Sequence, residues 1–469
     1  MGRTKIVATI GPSSSSIDVL KGMISEGMSV ARLNFSHGTL GEKAEQIDLI
    51  RAASSELRVR VGIMCDLQGP EVRTHMGKKE LRIEEGDTVT VSGKEGFGEI
   101  RIKPSSVLKS LESGDELYID GGRIRLMVRE VSDGLLKCEV LQGGLVRDKR
   151  SVHSSKPFEL RGLTEEDKEA IKLSLEKKVD FIALSFVKSA EDVMEARSFI
   201  ESLTDDPPGV ISKIETKEAV DKIKEILEES YGIMVARGDL GVGLSLQEVP
   251  RIQKMLIRLA NLHAKPVITA TEMLESMVQN PIPTRAEVTD VFNAILDGSD
   301  AVMLSAETAI GKHPVLSVKW MRMISEVAEG SLETKLDFPV DSIASFVGRA
   351  AVEASDILNC PLILCFTYSG YTARHVARHR PKANILALSS NPKTSRLLTL
   401  TWGVESLDVS LDTEEAIEKA LKYCLDNKLV SLDDSVVITY GYPHGIAKTN
   451  TLRVHRVREL LEGRSSGES

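Results

Sequence analysis

The chain has 469 residues, 42% hydrophobic, 28% charged and only 4% aromatic, with a formal charge of −9. That composition is ordinary for a globular chain with more than one hydrophobic core, and it excludes a mainly disordered or low-complexity protein. The acidic balance speaks against nucleic acid as the main partner, so any anion site must be local.

The five cysteines, Cys65, Cys138, Cys360, Cys365 and Cys424, are odd in number and form no CxxC pair, which fits free thiols in a reducing compartment. The opening segment MGRTKIVATIGPSSSS has no signal-like apolar region with a cleavage site, and no run of about eighteen apolar residues occurs. The sequence therefore reads as cytoplasmic, with no membrane partner.

In chain order, the apolar runs KIVATIG, VARLNFS and VGIMCDL are separated by helix-sized amphipathic segments, the βα rhythm of a parallel sheet. From Glu71 to about Lys156 the rhythm breaks into short, Gly-punctuated strands with no long helix, which predicts an inserted β domain over 71–156. Alternation resumes with a helix capped at Thr164 and acidic in its first turn, followed by FIALSFV, VISKIET, GIMVARG, KPVITAT and AVMLSAE. Three strands before the insertion and five after it make eight, so 1–70 and 157–331 are expected to form a (β/α)8 barrel with its chemistry on the loops after the strands. Residues 332–469 read as a second α/β unit with an open, mostly parallel sheet, and the polar tail from Gly463 to Ser469 as disordered.

The strand ends carry the chemistry. Lys213 and Glu215 close one strand-like run and Asp239 closes the next, so two acids and an ammonium can converge at the barrel mouth and hold a divalent cation against a polyanionic substrate. The structural alternative is a solvated same-face ion pair. Arg32, Asn34 and Ser36 share one face of the second strand. The guanidinium suits phosphate, while the amide, the hydroxyl and the Asp66 carboxylate are hard oxygen ligands for an alkali or alkaline-earth cation. Their ordinary roles would be helix caps and an Arg32–Asp66 pair. Thr271, Ser305 and Glu307 end the last two barrel strands and place hydroxyls opposite the acids, an arrangement suited to passing a proton through water.

Read together, TKIVATIGPSS, ARLNFSHG, DLQGPEVRT, ISKIET, IMVARGDLGV, TATEMLESM, PTRAEVTDV and DGSDAVMLSAETAIGKHP resemble the pyruvate kinase family, in family order over nearly the whole chain. The resemblance implies a barrel domain, an inserted lid domain and a C-terminal regulatory domain in a homotetramer. It implies phosphoryl transfer from phosphoenolpyruvate to ADP, followed by protonation of enolpyruvate to pyruvate. Glu215 and Asp239 would hold Mg2+ or Mn2+; Lys213 and Arg32 would neutralise the phosphoryl group; Arg237, Gly238, Asp239 and Thr271 would bind the substrate. Asn34, Ser36, Asp66 and the Leu67 carbonyl match the family's K+ site, and Asn34, His37, Arg73 and Lys149 its nucleotide contacts, although the family's KGVN-like run is DKRSVH here. Glu71 accompanies potassium dependence in this family, whereas Leu67 and Gln68 more often accompany independence. Charge favours dependence, since no lysine stands at Glu71. The proton donor stays open between Thr271 and a water near Ser305 and Glu307.

In the C-terminal unit, the loop Thr367–Thr372 (TYSGYT) places hydroxyls and a glycine at a helix start, which is an anion site or ordinary capping. The resemblance implies a phosphorylated effector there, with Thr367, Ser369, Gly370, Thr372 and Lys448 as contacts, although Tyr368 and Tyr371 stand where regulated members often carry Lys and Arg. Two other classes stay open: another metal-dependent, enolate-forming barrel enzyme, and a non-catalytic phosphometabolite sensor.

Overall fold

The computed structural model describes residues 2–462 except 95, 97, 133, 157, 159, 161, 333–337, 411–412 and 442–448. Lys448 and the tail from Gly463 onward therefore lie outside the described residues. Among the described residues no helix is long and apolar enough to cross a membrane, and all five cysteines are buried and free.

Eight parallel strands close in sequence order into a barrel: Lys5–Thr9, Met28–Asn34, Gly62–Asp66, Phe181–Leu184, Gly209–Ile214, Gly232–Ala236, Val267–Ala270 and Ala301–Leu304. Nearly every residue of these strands is buried, because side chains on one face fill the barrel and those on the other meet the surrounding helices, which is why the runs read as continuously apolar. Val7, Val30, Met64, Ile211, Met234 and Ile268 share one interior cluster, and Leu400 joins it from the C-terminal part of the chain. Burying Leu400 there contributes about 1.5–3 kcal/mol and fastens the two regions together. The cap expected at Thr164 forms: its hydroxyl accepts from the Asp167 amide at 3.0 Å, and Asp167 in turn accepts from the Thr164 and Gly69 amides. One helix cap thus anchors the loop that follows the third strand.

Between the third and fourth barrel strands lies a seven-stranded sheet with a separate two-stranded ribbon, Leu81–Ile83 paired with Gly144–Val146. Its only helical turn is the 3-10 segment Ser105–Ser110 among the described residues, and its core is a cluster of its own that includes Val91, Leu117, Leu126 and Leu136.

The C-terminal sheet has five strands in the order Val404–Asp408, Asn384–Ser389, Leu362–Phe366, Ser435–Gly441 and Thr449–Arg456, parallel except for the last. Sequence reading missed Val404–Asp408, whose residues VESLD lack an apolar run. Alternate residues of the sheet feed two apolar clusters, Ile363 and Cys365 on one face and Leu362 and Leu364 on the other. Gly348 lets helix Ile343–Ile357 close on helix Tyr371–Ala377, since a Cβ there would lie 2.9 Å from the His375 carbonyl oxygen.

His375 is 5% exposed, its Nδ1 has no hydrogen-bond partner, and its ring packs 4.3 Å from that of Tyr371. Burial, followed by the charges of Arg378 and Arg374, pushes the imidazole pKa down to about 3 from an ordinary 6.5. The unfolded chain binds a proton at this residue as pH falls through the ordinary value, while the folded chain does not. Stability contributed above that pH is therefore lost progressively on acidification. Thermal melts between about pH 7 and pH 5 should show a shallower decline for His375→Gln than for the wild type; parallel curves would remove His375 as the cause.

Candidate active site

The carboxyl ends of the barrel strands bring most of the expected polar residues onto one rim. Arg32, 9% exposed, donates through Nε to Asp66 Oδ2 at 2.6 Å and through Nη1 to Thr9 Oγ1 at 2.9 Å. The Arg32–Asp66 pair thus exists, but it lies on the barrel mouth beside a second cation. Lys213 Nζ lies 2.9 Å from Glu215 Oε1, 3.3 Å from Asp66 Oδ1 and 2.7 Å from Ser185 Oγ, which itself donates to the Leu67 carbonyl at 2.7 Å. Glu215 Oε2 is fixed by the Phe186 amide at 2.8 Å.

The electrostatics follow from this crowding. Burial works against the Lys213 ammonium, but Asp66 and Glu215 overcome it and raise its pKa. Asp66 is held below the usual carboxylate range because Lys213 and Arg32 outweigh its burial. Glu215 and Asp239 go the other way: burial raises both, and despite Lys213 they are pushed up further by nearby acids, Glu215 by Asp239 and Asp239 by Glu71 and Asp66. This rim therefore holds more negative charge than its cations neutralise. Glu215 Oε1 and Asp66 Oδ1 are also buried and accept no hydrogen bond of good geometry, although Lys213 stands within ion-pair reach of both. Buried anionic oxygens left in this state suit a cation.

Three sequence expectations need correction. The strand expected to end at Asp239 stops at Ala236, and Arg237, Gly238 and Asp239 form the first turn of helix Arg237–Gly243. The Arg237 guanidinium pairs with Asp290 at 2.7 Å and donates to the carbonyls of Thr271 and Glu272, so this side chain braces the rim from behind and is not available to a substrate. Glu307 is fully buried and its two oxygens accept from the Leu274 and Ser305 amides; it fixes loop backbone instead of presenting an acid. Ser305 Oγ, by contrast, is buried without a partner.

Thr271 has φ +68°, a conformation that β-branched residues rarely adopt, and Glu272 follows at +52°. This backbone places Thr271 Oγ1 where it accepts from the Gly238 amide at 2.9 Å, so that amide is already engaged. Asn34 Oδ1 accepts from the Ser36 amide at 3.0 Å, and Asn34 and Asp66 are paired residues of adjacent strands. Gly69 has φ +70° and lies so close to Ser185 that a Cβ would approach its Cβ to 2.8 Å, which explains glycine in the rim loop.

His37 lies beside a cationic group. Burial lowers its pKa first, and Arg73, Lys43, Lys149 and Arg32 lower it further, which leaves a neutral imidazole among positive charges. Arg73 pairs with Glu71 and donates to the Lys149 carbonyl at 3.3 Å, which joins the expected nucleotide contacts into one cluster. Sequence reading missed Lys43 and Ser185. Lys43 is 6% exposed in the first turn of helix Leu40–Leu57, with one long contact to Gln46 at 3.4 Å. Nothing in its position marks a lysine as buried, whereas Ser185, directly after an apolar strand, follows the same rule that marked Thr271. Beside the acids, a cavity of about 430 Å3 is lined by Glu71, His153, Phe158, Phe186, Glu215 and Asp239, between the rim and the inserted sheet.

In the C-terminal unit, Gly370 has φ +79° at the start of helix Tyr371–Ala377, Thr367 is buried, the Ser369 carbonyl accepts from Arg374 at 3.2 Å, and the Thr372 hydroxyl is hydrogen-bonded to that of Thr449.

Comparison with known proteins gives the family. Residues 1–318 match the family described as pyruvate kinase, barrel domain, and residues 345–455 its alpha/beta domain. The chain is 40% identical to a pyruvate kinase of Staphylococcus saprophyticus, over 100% of this chain and 83% of that one. It is 39% identical to a pyruvate kinase of Thermotoga maritima, over 97% and 100% of the two chains. A crystal structure of a pyruvate kinase from Cryptosporidium parvum superposes with a TM-score of 0.91 at 34% identity, covering 97% of this chain and 96% of that one. With both family domains matched and similarity over the full length, the chain belongs to the pyruvate kinase family.

Proposed function

We propose that the rim formed by Arg32, Asp66, Lys213, Glu215, Asp239 and Thr271 carries the family's reaction, phosphoryl transfer from phosphoenolpyruvate to ADP, with residues 71–156 as a lid over it and residues 332–469 as the regulatory unit. The observation that carries this reading is the Lys213 ammonium held between Asp66 and Glu215, 3.3 and 2.9 Å away, beside the Arg32 guanidinium. Two fixed cations at one mouth suit a transferring phosphoryl group, where catalysis is mainly positioning and charge stabilisation.

A divalent cation fits Glu215 and Asp239. Glu215 is buried and Asp239 half-buried, the charge of both is unfavourable without one, and one Glu215 oxygen accepts no hydrogen bond. Among the described residues no group of three or more His, Cys, Asp or Glu could enclose a metal ion, which suits Mg2+ or Mn2+, ions that complete their shell with water and substrate oxygens. When bound, the ion supplies Lewis-acid polarisation and charge neutralisation. Lys213 then faces the reacting oxygens, Arg32 clamps phosphate, and Thr271 orients the substrate through its fixed hydroxyl. Thr271, or a water on the unpartnered Ser305 hydroxyl, delivers the proton to the enolate carbon. His37, Arg73, Lys149 and Lys43 receive the nucleotide phosphates, and the loop Thr367–Thr372 receives a phosphorylated effector.

A monovalent cation fits Asn34, Ser36, Asp66 and the Leu67 carbonyl, all hard oxygen donors. Asp66 Oδ1 accepts no hydrogen bond, and Glu71 adds negative charge where a lysine would have removed it. In a coupled assay of pyruvate formed from phosphoenolpyruvate and ADP, turnover should require a divalent salt and fall at least about tenfold when KCl is replaced by tetramethylammonium chloride. Undiminished turnover in tetramethylammonium removes the potassium site; no pyruvate under any salt removes the reaction itself.

A further inference from the structure

Lys213 stands within ion-pair reach of two carboxylates, yet the hydrogen bond of good geometry that its ammonium makes among the described residues goes to neither. It goes to Ser185 Oγ at 2.7 Å, while Glu215 Oε1 and Asp66 Oδ1 lie 2.9 and 3.3 Å away without a properly directed donor. Ser185 is therefore the partner that aims one N–H of the ammonium and leaves the others free to turn. The same hydroxyl passes the contact on, because it donates its own proton to the Leu67 carbonyl at 2.7 Å. A carbonyl oxygen has two lone pairs, so this bond leaves Leu67 able to meet a cation as well. In such a chain each bond polarises the next, and the ammonium and the Leu67 carbonyl are coupled through one side chain.

The turn that carries Ser185 is built to hold it still. Ser185 is half-buried and directly follows the strand Phe181–Leu184, in which the Ala183 carbonyl accepts from the Leu67 amide at 3.0 Å. Leu67 and Ser185 are thus tied by backbone as well as by the hydroxyl. The next residue, Phe186, has φ +56°, a conformation that aromatic residues rarely adopt, and its amide is the one that fixes Glu215 Oε2. One strained turn therefore grips the ammonium with a side chain and the neighbouring acid with a backbone amide. Helix capping does not account for Ser185: the helix that follows, Ala190–Glu201, starts at Ser189, whose amide donates to Asp192 at 3.0 Å.

We propose that Ser185 is a positioning residue for the phosphoryl transfer, holding the Lys213 ammonium in register with the Leu67 carbonyl while Asp66 and Glu215 serve the proposed cations. This inference rests on the reading of Lys213 as the ammonium that meets the phosphoryl group, and of the Leu67 carbonyl as a monovalent-cation ligand.

The full chain carrying Ser185→Ala, Ser185→Cys or Ser185→Thr tests it. Alanine deletes the link, cysteine fills the same space with a weak donor and acceptor, and threonine keeps the hydroxyl. Ser185→Ala should lower kcat by about 10–100-fold with the KM for phosphoenolpyruvate within about threefold of wild type, and Ser185→Cys should fall between the two. Ser185→Thr should recover most of the lost rate. A second readout needs no turnover: the KCl concentration that half-raises the melting temperature, with tetramethylammonium chloride holding ionic strength constant, should move up about tenfold in Ser185→Ala. Mn2+ uptake followed by electron paramagnetic resonance should stay within about twofold of wild type, since Glu215 keeps its Phe186 amide. A kcat within about threefold of wild type in both Ser185→Ala and Ser185→Cys would overturn the proposal, and so would a loss of Mn2+ affinity as large as the shift in KCl, the mark of a rim that has merely collapsed. Either result leaves the catalytic reading standing, whereas full turnover in Lys213→Gln defeats that reading and this proposal with it.

Discussion

Replacing Lys213 with glutamine is expected to lower kcat by at least about 10²–10³-fold, the scale for losing one preorganised charge partner, while the KM for phosphoenolpyruvate changes little. The ammonium sits between Asp66 and Glu215 and is kept charged by them. Its contribution grows as negative charge develops on the moving phosphoryl group and on the enolate oxygen, so it belongs to the transition state more than to the bound substrate. The same lysine neutralises two carboxylates that are each 1% exposed, and removing it leaves Glu215 buried without a cation and Asp66 with Arg32 alone. A stability loss of up to about 3–5 kcal/mol accompanies that change, so turnover must be compared well below the variant's melting temperature. Divalent-ion titration separates the two effects: a variant that is folded and still takes up Mn2+ yet turns over slowly has lost charge stabilisation alone. Turnover within about tenfold of wild type would remove Lys213 from the reaction.

Much of the barrel was legible because a strand buried on both faces has to be apolar along its length, and polar residues at its carboxyl end then stand out. Arg32, Lys213 and Glu215 were visible in that way. What the pattern could not show was direction. Arg237 and Glu307 carry charges at strand ends just as Lys213 does, but Arg237 turns to Asp290 and Glu307 to two backbone amides, partners at positions that no local spacing reveals. The boundary at Ala236 was missed because GIMVARGD continues a strand-like pattern into residues whose helical turn is set by packing at the rim. Lys43 was hidden for a different reason: helix Leu40–Leu57 has little contrast between its faces, so a buried lysine looks like any solvated one.

The docking of the C-terminal sheet on the barrel includes the buried Arg380–Asp300 ion pair, and substituting Arg380 by methionine is expected to cost about 3 kcal/mol or more. Arg380 and Asp300 have side chains 1% and 7% exposed and meet at 3.0 Å between the C-terminal unit and the eighth barrel strand. Arg380 also donates to Asn261 Oδ1 at 3.1 Å and stacks 4.9 Å over the Trp402 ring, while Asp300 accepts from the Trp402 and Val267 amides at 3.1 Å each. Methionine keeps the stem and the left-handed backbone at φ +52°, so the variant removes charge and donors without adding new strain. What remains is a carboxylate buried with two amides and no cation, which is costlier than either the intact pair or no pair. Adding Asp300→Asn to Arg380→Met should therefore recover part of the loss, by about 0.5–3 kcal/mol of coupling. Trp402 is one of only two tryptophans and lies in this contact, so urea unfolding followed by its fluorescence in a Trp320→Phe background reads the interface directly. If the double variant unfolds earlier than Arg380→Met alone, the pair is not what holds the barrel to the C-terminal sheet, and the apolar contact at Leu400 takes over that role.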